Sequence, residues 1–384
     1  MPPRREPPAR SADKPVPKKT PQPLAGPPAS GPLIRLLLKE KFANATIEGS
    51  TLAPLVVAQA RDGKIILRTG ADKSSKLLGT GTGFRLTPAN QSRLLVFDGS
   101  AYRGSIEVFV NPLGVPVAVN EVDLEEYLRG TVPNELPPSR FPQIEALKAQ
   151  TVAARTFAVH HLGLNVKRGF DIYSDTRSQV YSGVKVEHPL SDRAIAETRG
   201  VTATHEGKPI LAVYSSTCGG KTESYAATFG RELPYLKGGV KCSDDNSPFH
   251  SWEVKCAGAK VESELNRSRQ FGRLRKIEAL KRGVSGRIVE MKMIGTKGEA
   301  ILKGNDVRWI LGIRSSLIED LRTEKDRQGN ISQITVKGKG WGHGVGLCQF
   351  GAVNLADRGF GYERILKYYY HDIDLKRATD LKGK

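Results

Sequence analysis

Between Pro142 and Gly163, Ile144, Leu147, Thr151, Ala154 and Ala158 recur at helical spacing in a stretch of mostly small and apolar residues. A helix so rich in alanine has little polar face to give to water, so other elements must cover it from several sides. Whatever this chain folds into is therefore built around one buried helix, expected over residues 142–162. Pro142 suits its first turn, and Gly163 suits its stop. Lys148 and Arg155 interrupt the apolar run seven residues apart, on one face of the helix. That spacing fits a solvated stripe, or a basic wall lining a groove for an anionic ligand.

The chain before this helix reads as β. From Ile34 to about Val119, short runs such as "IRLLL", "KIILRTG", "RLLVFDG" and "SIEVFVN" are separated by Gly, Asn and Asp turns, the pattern of a small sandwich or barrel. "GTGTGF" at 79–84 is followed by no helix, so a hairpin turn is expected there rather than a phosphate loop. After the helix, "PILAVYSSTCGGKTES" reads as a buried strand entering a polar glycine turn. Residues 259–281 look partly helical and strongly basic, and "RIVEMKMIG" and "ISQITVKGKG" look like strands. A glycine loop and two short helices are expected over "WGHGVGLCQFGAVNLADRGFGYERILKYYYH". The fold class is α+β, with a small β-rich N-terminal region (32–119) packed on a mixed α/β catalytic core (120–376). Pro-rich basic residues 1–31 read as a disordered tail, and 377–384 as a second basic tail.

A formal net charge of +19 asks for a polyanionic partner. No arginine-rich helix and no zinc-finger or RNP1-like spacing is present, which argues against nucleic acid. An anionic membrane surface or an acidic polysaccharide remains, and charge alone does not choose between them. No run reaches the roughly 18 apolar residues of a membrane span, so no transmembrane segment is expected. No apolar segment follows Met1 that would read as a secretory signal.

Some residues stand out for their chemistry. Glu135, in "VPNELPP", is an acid held between prolines just ahead of the core helix, where the local backbone is restricted. Ser216, Thr217 and Lys221, in "YSSTCGGKTES", offer hydroxyls and an amine beside a glycine pair, suited to hydrogen-bonding sugars or carboxylates. "SSTCGG" lacks the G-x-S-x-G elbow of a serine nucleophile. Trp341 and His343, in "GKGWGHGVGLCQFGA", supply ring surfaces among closely spaced glycines, and Trp341 could carry a sugar ring. The four cysteines form no C-x-x-C pair. Cys218 and Cys242, with Cys256, His250 or Cys348, could hold zinc or form a disulfide.

Taken in order, these motifs resemble the stage II sporulation protein D family, which includes amidase-enhancer relatives. The likeness rests on "VDLEEYLRGTVPNELP" (122–137), "EALKAQTVAARTF" (145–157), "YSSTCGGKTES" (214–224), "PYLKGGVKC" (234–242), "ILGIRSS" (310–316), "WGHGVGLCQFGA" (341–352) and "YERILKYYY" (362–370). It implies a lytic transglycosylase, acting outside the cytoplasm on peptidoglycan glycan strands stripped of their stem peptides. The family's catalytic glutamate falls on Glu135, with Leu136 where the family has Met. Its helix arginine falls on Arg155, and a lysine and a tyrosine fall on Lys221 and Tyr225. The resemblance implies no required cofactor, leaving a structural zinc as an option. It also carries a second expectation, a wall-binding protein without catalysis that recruits or enhances an N-acetylmuramoyl-L-alanine amidase.

Overall fold

Leu33–Glu40 and Pro116–Asp123 pair antiparallel, and the second buries Val117, Ala118, Val119 and Asn120 in succession, as a strand covered on both faces does. They lie in a five-stranded sheet with Ile172–Tyr173, Ser105–Val110 and Gly83–Leu86. A six-stranded sheet runs in the order Leu77–Gly81, Lys64–Thr69, Leu55–Arg61, Asn44–Glu48, Leu95–Phe97 and Ser100–Tyr102. Ile47, Val56, Ile65 and Leu95 from the second sheet share a core with Leu86, Ile106 and Val108 from the first. The computed structural model describes residues 31–49, 55–70, 75–90 and 93–377, so the tail residues 1–30 and 378–384 lie outside it.

The glycine run at 79–84 is not the expected hairpin turn. Leu77–Gly81 and Gly83–Leu86 belong to different sheets, so the chain crosses from one to the other at Thr82. Gly83 passes so close that a Cβ there would sit 2.7 Å from the Cβ of Phe109.

Strand Pro116–Asp123 delivers the chain into the helical core. Asp123 caps helix α1 (Leu124–Arg129), its carboxylate accepting from the Glu125 and Glu126 amides. A single turn, α2 (Val132–Glu135), follows, and then α3 (Ile144–His161). Helix α3 buries residues on nearly every side, including Ala149, Val152, Ala153, Ala154 and Ala158 at zero exposure. Around it pack α4 (Pro189–Glu197), α8 (Gln349–Asp357) and α9 (Tyr362–Tyr369). The last two are the short helices expected after the glycine loop.

A second β unit occupies the middle of the chain. Its two three-stranded sheets order as Ser251–Ala257, Ile331–Lys339, Ile318–Lys325 and as Leu274–Arg282, Ile288–Gly295, Glu299–Lys303. It has its own core of Trp252, Val261, Phe271, Met291, Met293, Val307 and Ile334. Over 259–281 the helix is shorter than its pattern suggests: it spans Gly258–Asn266, and Leu274–Arg282 is a strand. The chain enters and leaves this unit through Tyr214–Ser215 and Leu347–Cys348, which pair as a parallel two-stranded ladder.

Candidate active site

Glu135 is the last residue of α2. Asn134, one residue earlier, holds the facing loop: its Nδ2 donates to the carbonyls of Gly130 and Val180 and to Ser182 Oγ at 3.0–3.2 Å. That loop returns a backbone amide to the acid, with Val180 N–H donating to Glu135 Oε1 at 3.4 Å. Tyr214, on the ladder, and Gln349, at the start of α8, stand beside the same carboxyl as polar neighbours that favour its charged form.

Donors run in one direction towards the acid. Tyr127 O–H donates to Gln179 Oε1 at 2.6 Å, and Gln179 Nε2 donates to Tyr214 Oη at 2.7 Å. The Tyr214 hydroxyl proton is thereby left for Glu135. Gln349 Nε2 donates to Gln150 Oε1 at 3.3 Å, which orients its amide. Glu135 keeps a partial opening to solvent although protein crowds it on most sides. That crowding pushes its carboxyl above the usual glutamate range, opposed by the hydrogen bond from Val180 and by Gln349 and Tyr214. Burial also lifts the Tyr214 phenol well above its ordinary value, reinforced by Glu135, so it remains a donor.

The glycines of 342–346 let this loop lie against its neighbours. A Cβ on Gly344 would run into the Arg287 guanidinium, and one on Gly342 would stand 2.8 Å from Ser215 Cβ. His343 is sealed into the same loop. Its Nδ1 accepts from Val345 N–H at 3.0 Å. Burial, with Arg308 and Arg287 nearby, holds its pKa down at about 3. The ring is a neutral brace for the loop, held through its bond to Val345.

The basic wall expected from α3 is corrected. Arg155 is wholly buried and grips Glu125 with two bonds, Nε to Oε1 at 2.8 Å and Nη2 to Oε2 at 2.7 Å. It further donates to Thr198 and to the Val201 carbonyl, so it ties α1 and α4 to α3 and reaches no groove. Lys148 is held 2.7 Å from both Glu145 and Glu197, which satisfy its charge within the fold.

Ser216 and Thr217 follow Tyr214 directly. Thr217 pairs through its backbone with Trp341, but its hydroxyl is buried against Ser247 Oγ at 2.7 Å. Trp341 is 38% exposed, edge-on to Phe249 at 4.0 Å, with the Arg314 guanidinium 5.1 Å from the ring centre. Tyr225 is half-buried beside Phe229, and Lys221 has no ion pair among the described residues. Cys218 and Cys242 are joined as a disulfide, Cys348 is a buried free thiol, and Cys256 belongs to the separate core of the middle β unit.

Sequence reasoning passed over Gln179, Tyr214 and Gln349 as site residues. Tyr214 and Gln349 lay inside motifs already singled out, and that was the available signal. It also passed over Arg140, which is exposed and without a carboxylate partner among the described residues. The Arg140 guanidinium rests 5.2 Å from the Phe141 ring and 5.5 Å from that of Phe350, the neighbour of Gln349.

A family model described as "Stage II sporulation protein" matches residues 115–205, and one described as a domain of unknown function matches 234–346. The chain is 34% identical to a stage II sporulation protein D of Bacillus amyloliquefaciens, over 71% of this chain and 82% of that protein. It is 32% identical to an uncharacterized protein of Brachyspira hyodysenteriae, over 87% of this chain and 85% of that one. An amidase enhancer of Bacillus subtilis is 25% identical over 85% of this chain, which spans 52% of that protein.

Proposed function

We propose, from the premise that the chain belongs to the stage II sporulation protein D family, that it is a peptidoglycan lytic transglycosylase with Glu135 as its acid and base. One observation carries this: a single crowded carboxyl whose pKa is raised, with two polar side chains and a backbone amide beside it. The groups that act on its protonation include no second carboxylate among the described residues. Hydrolytic glycosidases work with two carboxylates flanking the bond. A transglycosylase needs one. The protonated Glu135 gives its proton to the glycosidic oxygen as the bond to muramyl C1 breaks. The resulting carboxylate then takes the proton of the C6 hydroxyl as that oxygen closes on C1, and the 1,6-anhydro ring forms without water.

Raising the pKa keeps Glu135 protonated and ready to act as an acid. Tyr214 and Gln349 steady the carboxylate once the proton has left. Each muramic acid of a peptide-free strand carries a lactyl carboxylate, and the protein's charge of +19 is complementary to such a chain. Arg140 is the cation we assign to that group, in place of Arg155. Ser216, Lys221, Tyr225 and the open face of Trp341 are the remaining candidates for sugar contacts. This activity places the protein outside the cytoplasm, at the wall. Among the described residues no helix is long and apolar enough to cross a membrane.

The similarity to a protein named amidase enhancer supports a second reading, in which the chain binds the wall and recruits or enhances an amidase. Mass spectrometry of products from purified peptide-free glycan, for wild type and Glu135→Gln, separates the two. Anhydro-muramyl ends made by wild type and lost in the variant are the expected result. Reducing ends would mean hydrolysis and overturn the single-carboxylate mechanism. Binding without any release would leave the recruiting role.

A further inference from the structure

Three cysteines far apart in sequence meet beside the ladder that carries Tyr214. Cys218 and Cys348 are wholly buried, as is Asp244, while Cys242 is half-buried. The three Sγ atoms and an Asp244 carboxylate oxygen all lie within 4.8 Å of one another. Hydrogen bonds hold this arrangement. Gly219 N–H donates to Asp244 Oδ2 at 2.7 Å, and Cys218 N–H donates to Cys348 Sγ at 3.2 Å. His250 Nδ1 lies 3.0 Å from Asp244 Oδ1.

The disulfide between Cys218 and Cys242 uses two of these sulfurs, and the third thiol then donates to Asp244 Oδ2 at 3.6 Å and to the Ser216 carbonyl at 3.7 Å. The backbone does not favour that bond: the Cα atoms of the pair are 7.4 Å apart, and a disulfide closes without backbone movement only below about 7 Å. Zinc–sulfur bonds of about 2.3 Å, arranged tetrahedrally, hold two sulfurs nearly 4 Å apart, which relieves that span. Three thiolates with one carboxylate are a soft donor set that selects zinc over calcium or magnesium.

We propose that Cys218, Cys242, Cys348 and Asp244 form a closed tetrahedral zinc site, with His250 donating to the carboxylate oxygen turned away from the metal. A carboxylate ligand steadied by a second hydrogen-bonding group is the usual outer arrangement of such sites. Arg287 supplies positive charge at the edge, its Nη2 donating to the Cys218 carbonyl at 2.7 Å. Four protein ligands leave no open position, so the metal is structural. Its place in the fold states its task. Cys348 directly precedes Gln349, and it pairs with Ser215, which directly follows Tyr214. The zinc clamps the two segments that bring both side-chain donors to Glu135, and this role does not depend on which reaction Glu135 performs.

The test is metal analysis of the full-length protein purified with a reductant, then loaded with zinc and desalted. Wild type is expected to retain about one zinc per chain, as a four-ligand site should. Replacing zinc with cobalt(II) should give the strong visible and thiolate charge-transfer bands of a tetrahedral sulfur site. Cys256→Ser should keep both signals. Asp244→Asn should weaken retention, and Cys348→Ser should abolish it. If Cys348→Ser does not fold, the wild-type cobalt spectrum and the number of thiols released by a chelator decide. Three released thiols support the site. Reduced wild type that retains no zinc and gives no tetrahedral cobalt spectrum overturns it, as does Cys256→Ser losing the metal to the same degree.

Discussion

Two regions of this molecule bury charge, and they handle it in opposite ways. Around α3, Arg155 at zero exposure is matched by Glu125 through two short bonds, and its remaining donors reach Thr198 and backbone carbonyls. At Glu135 the carboxyl is crowded just as closely, yet its partners are an amide, a phenol and a carboxamide, with no cation. The first arrangement matches a buried cation with a buried anion and leaves neither facing a groove. The second leaves both protonation states within reach, which an acid that must give up and recover a proton requires. Compensation of buried charge therefore separates framework from chemistry here better than residue type does.

The sharpest way to break this comparison is Glu135→Gln. Removing the proton donor should cut anhydro-product release by roughly 10²–10⁴-fold, the range of a general acid. The same substitution should raise Tm at neutral and alkaline pH. An acid whose folded pKa is raised contributes stability that is present below the unfolded pKa and is lost as pH rises through the folded one. The Tm gain should therefore shrink on going to acid pH. A variant melting below wild type at pH 8 would mean that Glu135 is a framework residue after all.

Arg155→Ala is the reciprocal experiment. It strands Glu125 in the core, and breaking a buried pair costs about 3–5 kcal/mol. Urea unfolding should show the loss. An Arg155 variant of unchanged stability but weakened glycan binding would return this residue to the groove. Tyr214→Phe should act more gently, lowering release by about tenfold, the worth of one charged hydrogen bond of roughly 1.5 kcal/mol. Because the phenol lowers the pKa of Glu135, its removal should move the alkaline limb of the pH–rate profile upward, a shift that simple loosening of the ladder would not give. The smallest effect is expected for Lys148→Ala. Its ion pairs sit near the surface and are worth about 1 kcal/mol or less, and product release should stay at the wild-type level.

Much of this contrast was legible in the chain itself. Alanines at helical spacing announced a helix covered on several sides, and prolines around Glu135 announced a held carboxyl. Arg155 was misplaced for a physical reason: spacing shows which residues share a face but not what covers that face. Its partner Glu125 lies 30 residues earlier, on a helix whose start is set by Asp123. Tyr214 and Gln349 were hidden in the same way, since each reaches Glu135 only after the ladder has closed. The strand Leu274–Arg282 was unreadable as a strand because it exposes most of its residues. Leu274, Ile277 and Leu280 mimic helical spacing there. Pairing with Ile288–Gly295, rather than any local preference, decides the outcome.

The parallel ladder between Tyr214–Ser215 and Leu347–Cys348 has a consequence for the order of events during synthesis. Cys218 and Cys348 stand 130 residues apart, and a whole β unit must emerge between the two strands. Closing so long a loop is slow compared with forming local helices and hairpins. Glu135 waits without Gln349 until the β unit between them has been translated. A chain interrupted before Leu347–Cys348 thus carries Glu135 without Gln349, and the surroundings of the carboxyl are set only when the later segment has been made.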